Sequence, residues 1–402
     1  MSLTGFVETR GGVESVGISI GIIGLGSFGS SFVELFNAHP LVERIALCDR
    51  EPERVAAFSN RPSLQNKLAP RDLYSSFEEI CRSNLQALAI FTQPWLHASQ
   101  AIRAMQAGKH VYSAVPVVSL PDGQEILEWC DKLVNTCTQT GQLYMLGETT
   151  FYRPETMYCR RQSEAGCFGH FVYSEGEYLH DVDWDKSNLR KVRQRRLASA
   201  AGMEWISQES GGRDTGSAPM HYPTHSISGP ISVMGAHALE VTARGFLSPE
   251  PDDYFGEEFS NETALFHMSN GATMRICEHR QIGHPGVETL RVFGTEGTFR
   301  DNCWLDKSTC TPLTVEEMRD PLPREIEKAL LISSEGSSIY GGHGGSHAYL
   351  VHEFVDAVAK GRTPEINVWE AVRYMAAGVV AHESALRNGE MCIVPDWGDA
   401  PN

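Results

Sequence analysis

The sequence predicts an α/β protein: an N-terminal Rossmann unit with a doubly wound parallel sheet, then a C-terminal α+β domain on an open, mostly antiparallel sheet. Three observations lead there. Short apolar runs alternate with helical stretches over the first third of the chain. A glycine-rich turn joins the first such run to the first helix. Beyond about Glu148 the alternation gives way to successive strands joined by tight turns.

The elements follow in order. Residues 18–23 form a buried-type strand, 30–39 a helix and 42–48 a second strand. Strands are expected again at 87–91, 110–112 and 143–146, with helices at 98–107 and 122–140. Strand–helix alternation at this spacing implies parallel pairing through helical crossovers. Past Glu148, residues 169–180 read as one long strand, and further strands fall at 238–246, 262–268, 273–281, 287–293 and 297–300. Ser269-Asn-Gly271 and Gly294-Thr-Glu-Gly297 supply hairpin turns. Helices at 347–360 and 369–388 close the chain. The dinucleotide-binding unit is therefore expected over 17–147 and the substrate-binding domain over 148–402. The last helices are free to pack back on the first domain, and a cleft is expected between the two.

With 402 residues the chain can build two ordinary cores. Its formal net charge of −17 argues against nucleic acid or an anionic membrane as partner. No apolar run has the length of a membrane span. Glu8, Arg10 and Glu14 interrupt the start, so no signal peptide is expected. The ten cysteines form no C-x-x-C pair, which suits reduced thiols in a cytoplasm.

Gly24-Leu-Gly26-Ser27-Phe28-Gly29 is a G-x-G-x-x-G turn between strand and helix, and Asp49 ends the next strand. Gly24 permits the tight turn, Gly26 lets the backbone approach a pyrophosphate, and Gly29 lets helix and strand pack closely. The helix start offers free N–H groups and a positive dipole end to phosphates. Asp49 suits ribose hydroxyls and repels a 2′-phosphate, which favours NAD; Arg50 beside it leaves NADP open.

Thr92-Gln-Pro94-Trp95-Leu-His97, followed by Ala107-Gly-Lys-His-Val111, resembles the T-P-x-x-x-H and G-K-H-V segments of the Gfo/Idh/MocA oxidoreductase family. The Gly294–Gly297 hairpin and the C-terminus through Val394-Pro-Asp-Trp397 are similar too. The resemblance implies that Thr92, Pro94, Trp95 and His97 belong to the cofactor loop. In the family's dehydrogenases G-K-H-V is followed by E-K-P, whose lysine touches the nicotinamide ribose and the reacting hydroxyl. Here those positions are Ala114, Val115 and Pro116. The aspartate that those enzymes carry four residues before a catalytic histidine is His221 here, ahead of His225.

These departures resemble the family's NAD-dependent α-N-acetylgalactosaminidase branch, which carries E-V-P, Y-P-T-H, E-G-x-Y-x-H-D and H-G-G. Tyr222-Pro-Thr-His225, Glu175-Gly-Glu-Tyr178-Leu-His180-Asp181 and His343-Gly-Gly345 match the last three. Ala114 replaces the glutamate of the first, and the stretch 186–216 is unlike the branch. The resemblance implies catalytic roles for Tyr178, His180, Tyr222 and His225, and substrate contacts for Glu148 and His343.

The residues themselves agree with hydride chemistry. Tyr178 and His180 are two apart in a strand and share a face. Removing hydride from an alcohol also requires a proton acceptor, which a phenol or an imidazole provides. His225 lies at a helix start, where the dipole disfavours imidazolium, so a neutral ring is expected. Arg213, in a glycine-rich loop, is a candidate for a substrate oxygen. His343 and His347 are four apart, but no third ligand completes a set, and no metal is expected. The basic run 186–196 reads as a solvated loop or subunit contact.

Three functions fit: an NAD-dependent oxidoreductase moving a hydride at a ring carbon of a sugar; a glycoside hydrolase that oxidises, eliminates, hydrates and reduces with no net redox; and a non-catalytic NAD- and sugar-sensing protein. A small sugar or glycoside is the expected partner, with a homo-oligomer formed through the second domain's sheet.

Overall fold

Residues 17–184, 188–209, 218–333 and 340–401 are described by a computed structural model of the chain. The first unit runs β1 (Ile18–Ile23), α1 (Ser30–Ala38), β2 (Val42–Cys48), α2 (Pro52–Ser59), β3 (Leu73–Tyr74), α3 (Phe77–Cys81), β4 (Ala87–Ile90), α4 (His97–Gln106), β5 (His110–Ser113), α5 (Gly123–Thr140) and β6 (Tyr144–Leu146). Its strands lie in the order β3-β2-β1-β4-β5-β6, and every neighbouring pair is parallel. Helices cover both faces, so β4 and β6 are buried along their whole length, as continuous apolar strands require. Asp122 caps α5 by accepting the Glu125 N–H, and Gly141 ends it in the left-handed region at φ 66°.

The second unit runs α6 (Pro154–Glu164), β7 (Phe171–Leu179), α7 (Leu189–Leu197), α8 (Ala200–Glu204), α9 (Thr224–Met234), β8 (Ala238–Leu247), β9 (Phe259–Met268), β10 (Thr273–His279), β11 (Val287–Gly294), β12 (Gly297–Arg300), β13 (Cys303–Asp306), β14 (Cys310–Pro312), α10 (Val315–Met318), α11 (Arg324–Ser333), α12 (Ser346–Lys360), α13 (Val368–Leu386) and β15 (Cys392–Ile393). The nine-stranded sheet has the order β14-β13-β12-β11-β7-β10-β9-β8-β15. Its pairs are antiparallel except β7 with β10, which is parallel. The long strand of the sequence reading thus sits mid-sheet, between two strands made about a hundred residues later.

Helix α9 crosses the inner face of this sheet and is buried at nearly every position. A helix buried all round is normally apolar, yet this one carries Ser226, Ser228 and Gly229. Those small residues let it lie close to β7. The C-terminal helices return to the first unit: α12 packs on α1 and β1, α13 on α5 and β6, and Leu146 N–H donates to the Ile366 carbonyl at 3.0 Å. One continuous hydrophobic core therefore reaches across both units, from Ile20 to Tyr374. Among the described residues no helix is long and apolar enough to cross a membrane.

Candidate active site and cofactor cleft

A cleft of about 860 Å³ opens along the glycine-rich loop. Gly24, at φ +88°, takes a backbone shape that disfavours any side chain. A Cβ on Gly29 would lie 2.0 Å from the Gly24 carbonyl oxygen, whereas one on Gly26 would meet nothing within 4 Å. The loop is thus closed by two glycines and open at the third, the cradle a pyrophosphate needs. Ser27 and Phe28 complete its rim. Asp49 accepts the Leu25 N–H at 2.7 Å and the Glu51 N–H at 3.0 Å, which fixes the loop to the end of β2 and leaves a carboxylate in the cleft wall. Arg50 is turned to Glu204 at 3.0 Å, so the guanidinium that kept a 2′-phosphate open has a carboxylate partner. These residues fit an NAD: free backbone at the phosphates and an acid at the ribose.

Farther along, Thr92 and Trp95 line the same cleft, and Trp95 and Pro94 also border a neighbouring cavity of about 180 Å³. His97 is buried, with Nδ1 2.9 Å from the Pro116 carbonyl and Nε2 3.2 Å from that of Thr92. Burial lowers its pKa to about 4, so it is a neutral staple between the two cofactor-side loops. Ala114 and Pro116 are buried, and the Val115 side chain lines the smaller cavity, where dehydrogenases of the resembling family have lysine.

Tyr178, His180, Tyr222 and His225 are brought together. Tyr178 Oη lies 2.5 Å from His180 Nδ1, and its ring centre lies 5.1 Å from that of His225. Burial, aided by the nearby Arg280 charge, lowers the His180 pKa to about 4, so its neutral ring accepts the phenol's hydrogen bond. Burial also holds the Tyr178 phenol well above its ordinary pKa, while the Arg280 guanidinium, 4.4 Å from the ring centre, works the other way. Tyr222 Oη lies 3.3 Å from His225 Nε2.

One expectation is corrected here. His225 is not held neutral by the helix dipole. Burial is the largest single influence and disfavours its charge, but the Glu148 carboxylate 2.9 Å from Nδ1 and the nearby Glu288 carboxylate together outweigh it and raise the pKa to about 9. Glu148, expected at the substrate, stands behind His225 with its Oε2 free of any hydrogen-bond partner among the described residues. It is fully buried beneath His225, and its Oε1 also accepts the Thr150 N–H at 2.8 Å. Burial alone would raise its pKa; His225 turns the net shift downward.

His221 points elsewhere: its ring packs 4.7 Å from that of His382, and burial pushes its pKa down to about 3. His343 contacts His347 at 2.9 Å and stacks edge-on against Phe28 of the glycine loop; burial and the nearby His225 charge lower its pKa. No group of three potential metal ligands occurs among the described residues. Arg213 lies outside the described residues.

The basic run reaches into α7 (Leu189–Leu197), a helix and not a loop, which has no buried residue; Arg195 and Arg196 on it are exposed and line the cofactor cleft. The sequence reading also missed the polar frame of the cluster. Glu288 on β11 pairs with Arg153 at 2.6 Å and accepts from Thr150 Oγ1 at 2.8 Å. Arg280 and Glu278 form a buried pair at 2.5 Å, and Arg280 donates to the Tyr178 carbonyl at 3.2 Å. Opposite charges two apart at the end of β10, Glu278 and Arg280, were the available signal.

Comparison with known proteins agrees with this geometry. Residues 18–147 match the family model described as an oxidoreductase family with NAD-binding Rossmann fold, and residues 259–400 match the glycosyl hydrolase 109 C-terminal domain. The first domain therefore has the NAD-binding Rossmann fold of the Gfo/Idh/MocA oxidoreductases, with NAD as its cofactor. The relatives matched over most of the chain include proteins of glycosyl hydrolase family 109. One such protein, from Streptomyces niveus, is 26% identical over 94% of this chain and 77% of its own length. In fold, the chain is similar to a myo-inositol 2-dehydrogenase from Lactobacillus plantarum, with TM-score 0.67 and 17% identity over 94% of this chain and 100% of that one. It is likewise similar to a levoglucosan dehydrogenase solved with NADH and levoglucosan, with TM-score 0.71 and 19% identity over 94% and 100%.

Proposed function

We propose that the protein is an NAD-dependent glycoside hydrolase that works on a sugar glycoside by oxidation, elimination, hydration and reduction. The observation that carries this is the Tyr178–His180 couple at 2.5 Å, in a site with valine where a dehydrogenase lysine would stand. Bound NAD supplies a hydride acceptor and donor, so the oxidation that opens such a cycle and the reduction that closes it cancel.

The side chains then have these tasks. Tyr178 Oη takes a proton from the substrate while its own passes to neutral His180. With a carbonyl on the ring, the adjacent C–H becomes acidic. Once His180 has released the first proton to solvent, Tyr178 removes this second one while its own passes again to His180, the C–C double bond forms, and the aglycone leaves with the electrons of its C–O bond and takes up the proton from His180. Arg280, lying against the tyrosine ring, offsets negative charge at the phenol. Charged His225 and Tyr222 offer N–H and O–H donors to substrate oxygens on which charge develops. Glu148 keeps His225 charged and oriented, and acts through it. His343 bounds the site from the glycine-loop side.

A net sugar dehydrogenase would use the same couple as its proton acceptor. The fold-level likeness to sugar dehydrogenases is the observation behind that second reading. A panel of nitrophenyl α- and β-glycosides, N-acetylated ones included, separates the two. Steady nitrophenol release without added cofactor, and with no lasting reduced-nicotinamide absorbance, is expected. Reduced nicotinamide accumulating with free sugars and NAD, without nitrophenol release, would replace the hydrolase by a dehydrogenase. We further place the protein in the cytoplasm as a homo-oligomer formed through the outer face of the nine-stranded sheet, where Leu265 is 45% exposed. A monomeric mass in solution would remove the oligomer.

A further inference from the structure

The segment 189–205 lies along the cofactor cleft, and its helix α7 is not held there by core packing. Helix α7 has no buried residue. Its N-terminal end is tied to the substrate domain by charge: Arg190 meets Asp183 at 2.8 Å, Asp252 at 2.8 Å and Asp253 at 2.7 Å. Arg193 lies over the Tyr254 ring at 4.6 Å. The far end is tied to the cofactor domain instead. Glu204 pairs with Arg50 at 3.0 Å, and Trp205 stacks on Trp95 with ring centres 5.8 Å apart. The segment is therefore a strap from one domain to the other, anchored on the two loops that flank the dinucleotide.

Between the anchors, Arg195 and Arg196 face the cleft. The Arg196 side chain makes no ion pair or hydrogen bond among the described residues, although the protein carries a net charge of −17 and acids are plentiful. The cleft's other arginines are occupied: Arg50 by Glu204, Arg54 by Asp49 at 3.5 Å. Arg196 also borders the smaller cavity beside Tyr178 and Tyr222. A cation left without an anion, in the wall of a cleft whose floor is an open glycine loop, matches one chemistry: a phosphate diester.

We propose that Arg196, with Arg195 beside it, is a phosphate-binding site for the cofactor, brought over the dinucleotide by the strap so that the pyrophosphate is held from both domains. The inference rests on the NAD-binding fold and is independent of the hydrolase chemistry. Two consequences follow. Leaving the cleft requires breaking phosphate contacts made by both domains, which slows dissociation. The contact is ionic and partly exposed, so salt weakens it.

The test is stopped-flow release of NADH, followed by its own fluorescence, from the full-length protein, with equilibrium binding of adenosine alongside. Arg196→Gln is expected to raise the NADH release rate about tenfold or more and to flatten its salt dependence, while adenosine affinity is unchanged. Lys191→Gln, on the same helix but outside the cleft wall, is expected to leave both at the wild-type value. Trp205→Leu, which loosens an anchor without removing a charge, is expected to speed NADH release and keep the salt dependence. Unchanged NADH release in Arg196→Gln and in the Arg195→Gln/Arg196→Gln double variant would overturn the proposal. So would a loss confined to binding of an anionic sugar such as galactose 6-phosphate, because it would assign the cation to the substrate. Melting temperature and near-UV circular dichroism establish that each variant is folded.

Discussion

Gly176 on β7 and Ser226 on α9 pack backbone against backbone: a Cβ on Gly176 would lie 1.8 Å from the Ser226 carbonyl oxygen. This approach is what sets Tyr178, two residues along the strand, beside His225, one residue before Ser226 on the helix. Gly176→Ala must push helix and strand apart. It is expected to cost about 1–3 kcal/mol by overpacking and to lower activity further than the stability loss accounts for. Thermal unfolding and turnover measured on the same sample check this; wild-type activity in a folded variant would break the link between the close approach and the site.

Tyr178→Phe keeps the ring and removes the proton carrier. Turnover on a competent glycoside is expected to fall by at least about a hundredfold, while NADH binding, measured by fluorescence, stays within experimental error. A variant that turns over normally would exclude Tyr178 from proton transfer.

The pH profile of kcat/KM is expected to be a bell. Its acid limb follows His180, which must be neutral to accept the Tyr178 proton and protonates near pH 4. Its alkaline limb follows His225, which must be charged and loses its proton near pH 9. Glu148→Gln removes the charge that raises His225, so the alkaline limb moves downward and the bell narrows. Stability shifts with the same sign. The folded-state pKa of about 9 exceeds the ordinary 6.5, so the ion pair contributes fully below pH 6.5 and is lost as pH rises through 9. An alkaline limb that stays put in Glu148→Gln would assign that limb to another group.

Gly26→Ala and Gly29→Ala should separate folding from cofactor binding. A Cβ on Gly26 meets open space, so the first variant is expected to melt like wild type yet bind NADH at least about tenfold more weakly, because the methyl fills the pyrophosphate approach. A Cβ on Gly29 would strike the Gly24 carbonyl, so the second is expected to lose both stability and binding. Equal NADH affinity in Gly26→Ala would move the phosphates away from this loop.

The first domain was largely legible because its information is local. Gly24, Gly26, Gly29 and Asp49 act within one strand–helix–strand unit, at spacings fixed by backbone geometry. The cofactor loop from Thr92 to His97 is equally contiguous. The second domain was legible only where pattern or resemblance reached it. Strands β13, β14 and β15 are short and partly or wholly exposed, so they carry no apolar alternation. The polar frame of Arg153, Arg280 and Glu288 is assembled from three separate elements by tertiary packing, which no spacing records. The charge on His225 was misjudged for the same reason. The local rule, a helix start, was right about position but blind to Glu148, 77 residues away.

The placement of β7 also governs when the site can exist. Tyr178 is registered opposite Glu278 on one side and Glu288 on the other. While the chain is still emerging from the ribosome, the strand bearing Tyr178 and His180 has no neighbour until β10 is complete at residue 279, and it is flanked on both sides only once β11 is complete at residue 294. A nascent chain arrested before that point is expected to be cut by protease within 171–180, and one released past it to be protected there. Glycine loop, cleft wall and strap all lie earlier in the sequence than β10 and β11. The proton-handling couple is therefore among the last parts to be seated, and an incomplete chain cannot carry a working site.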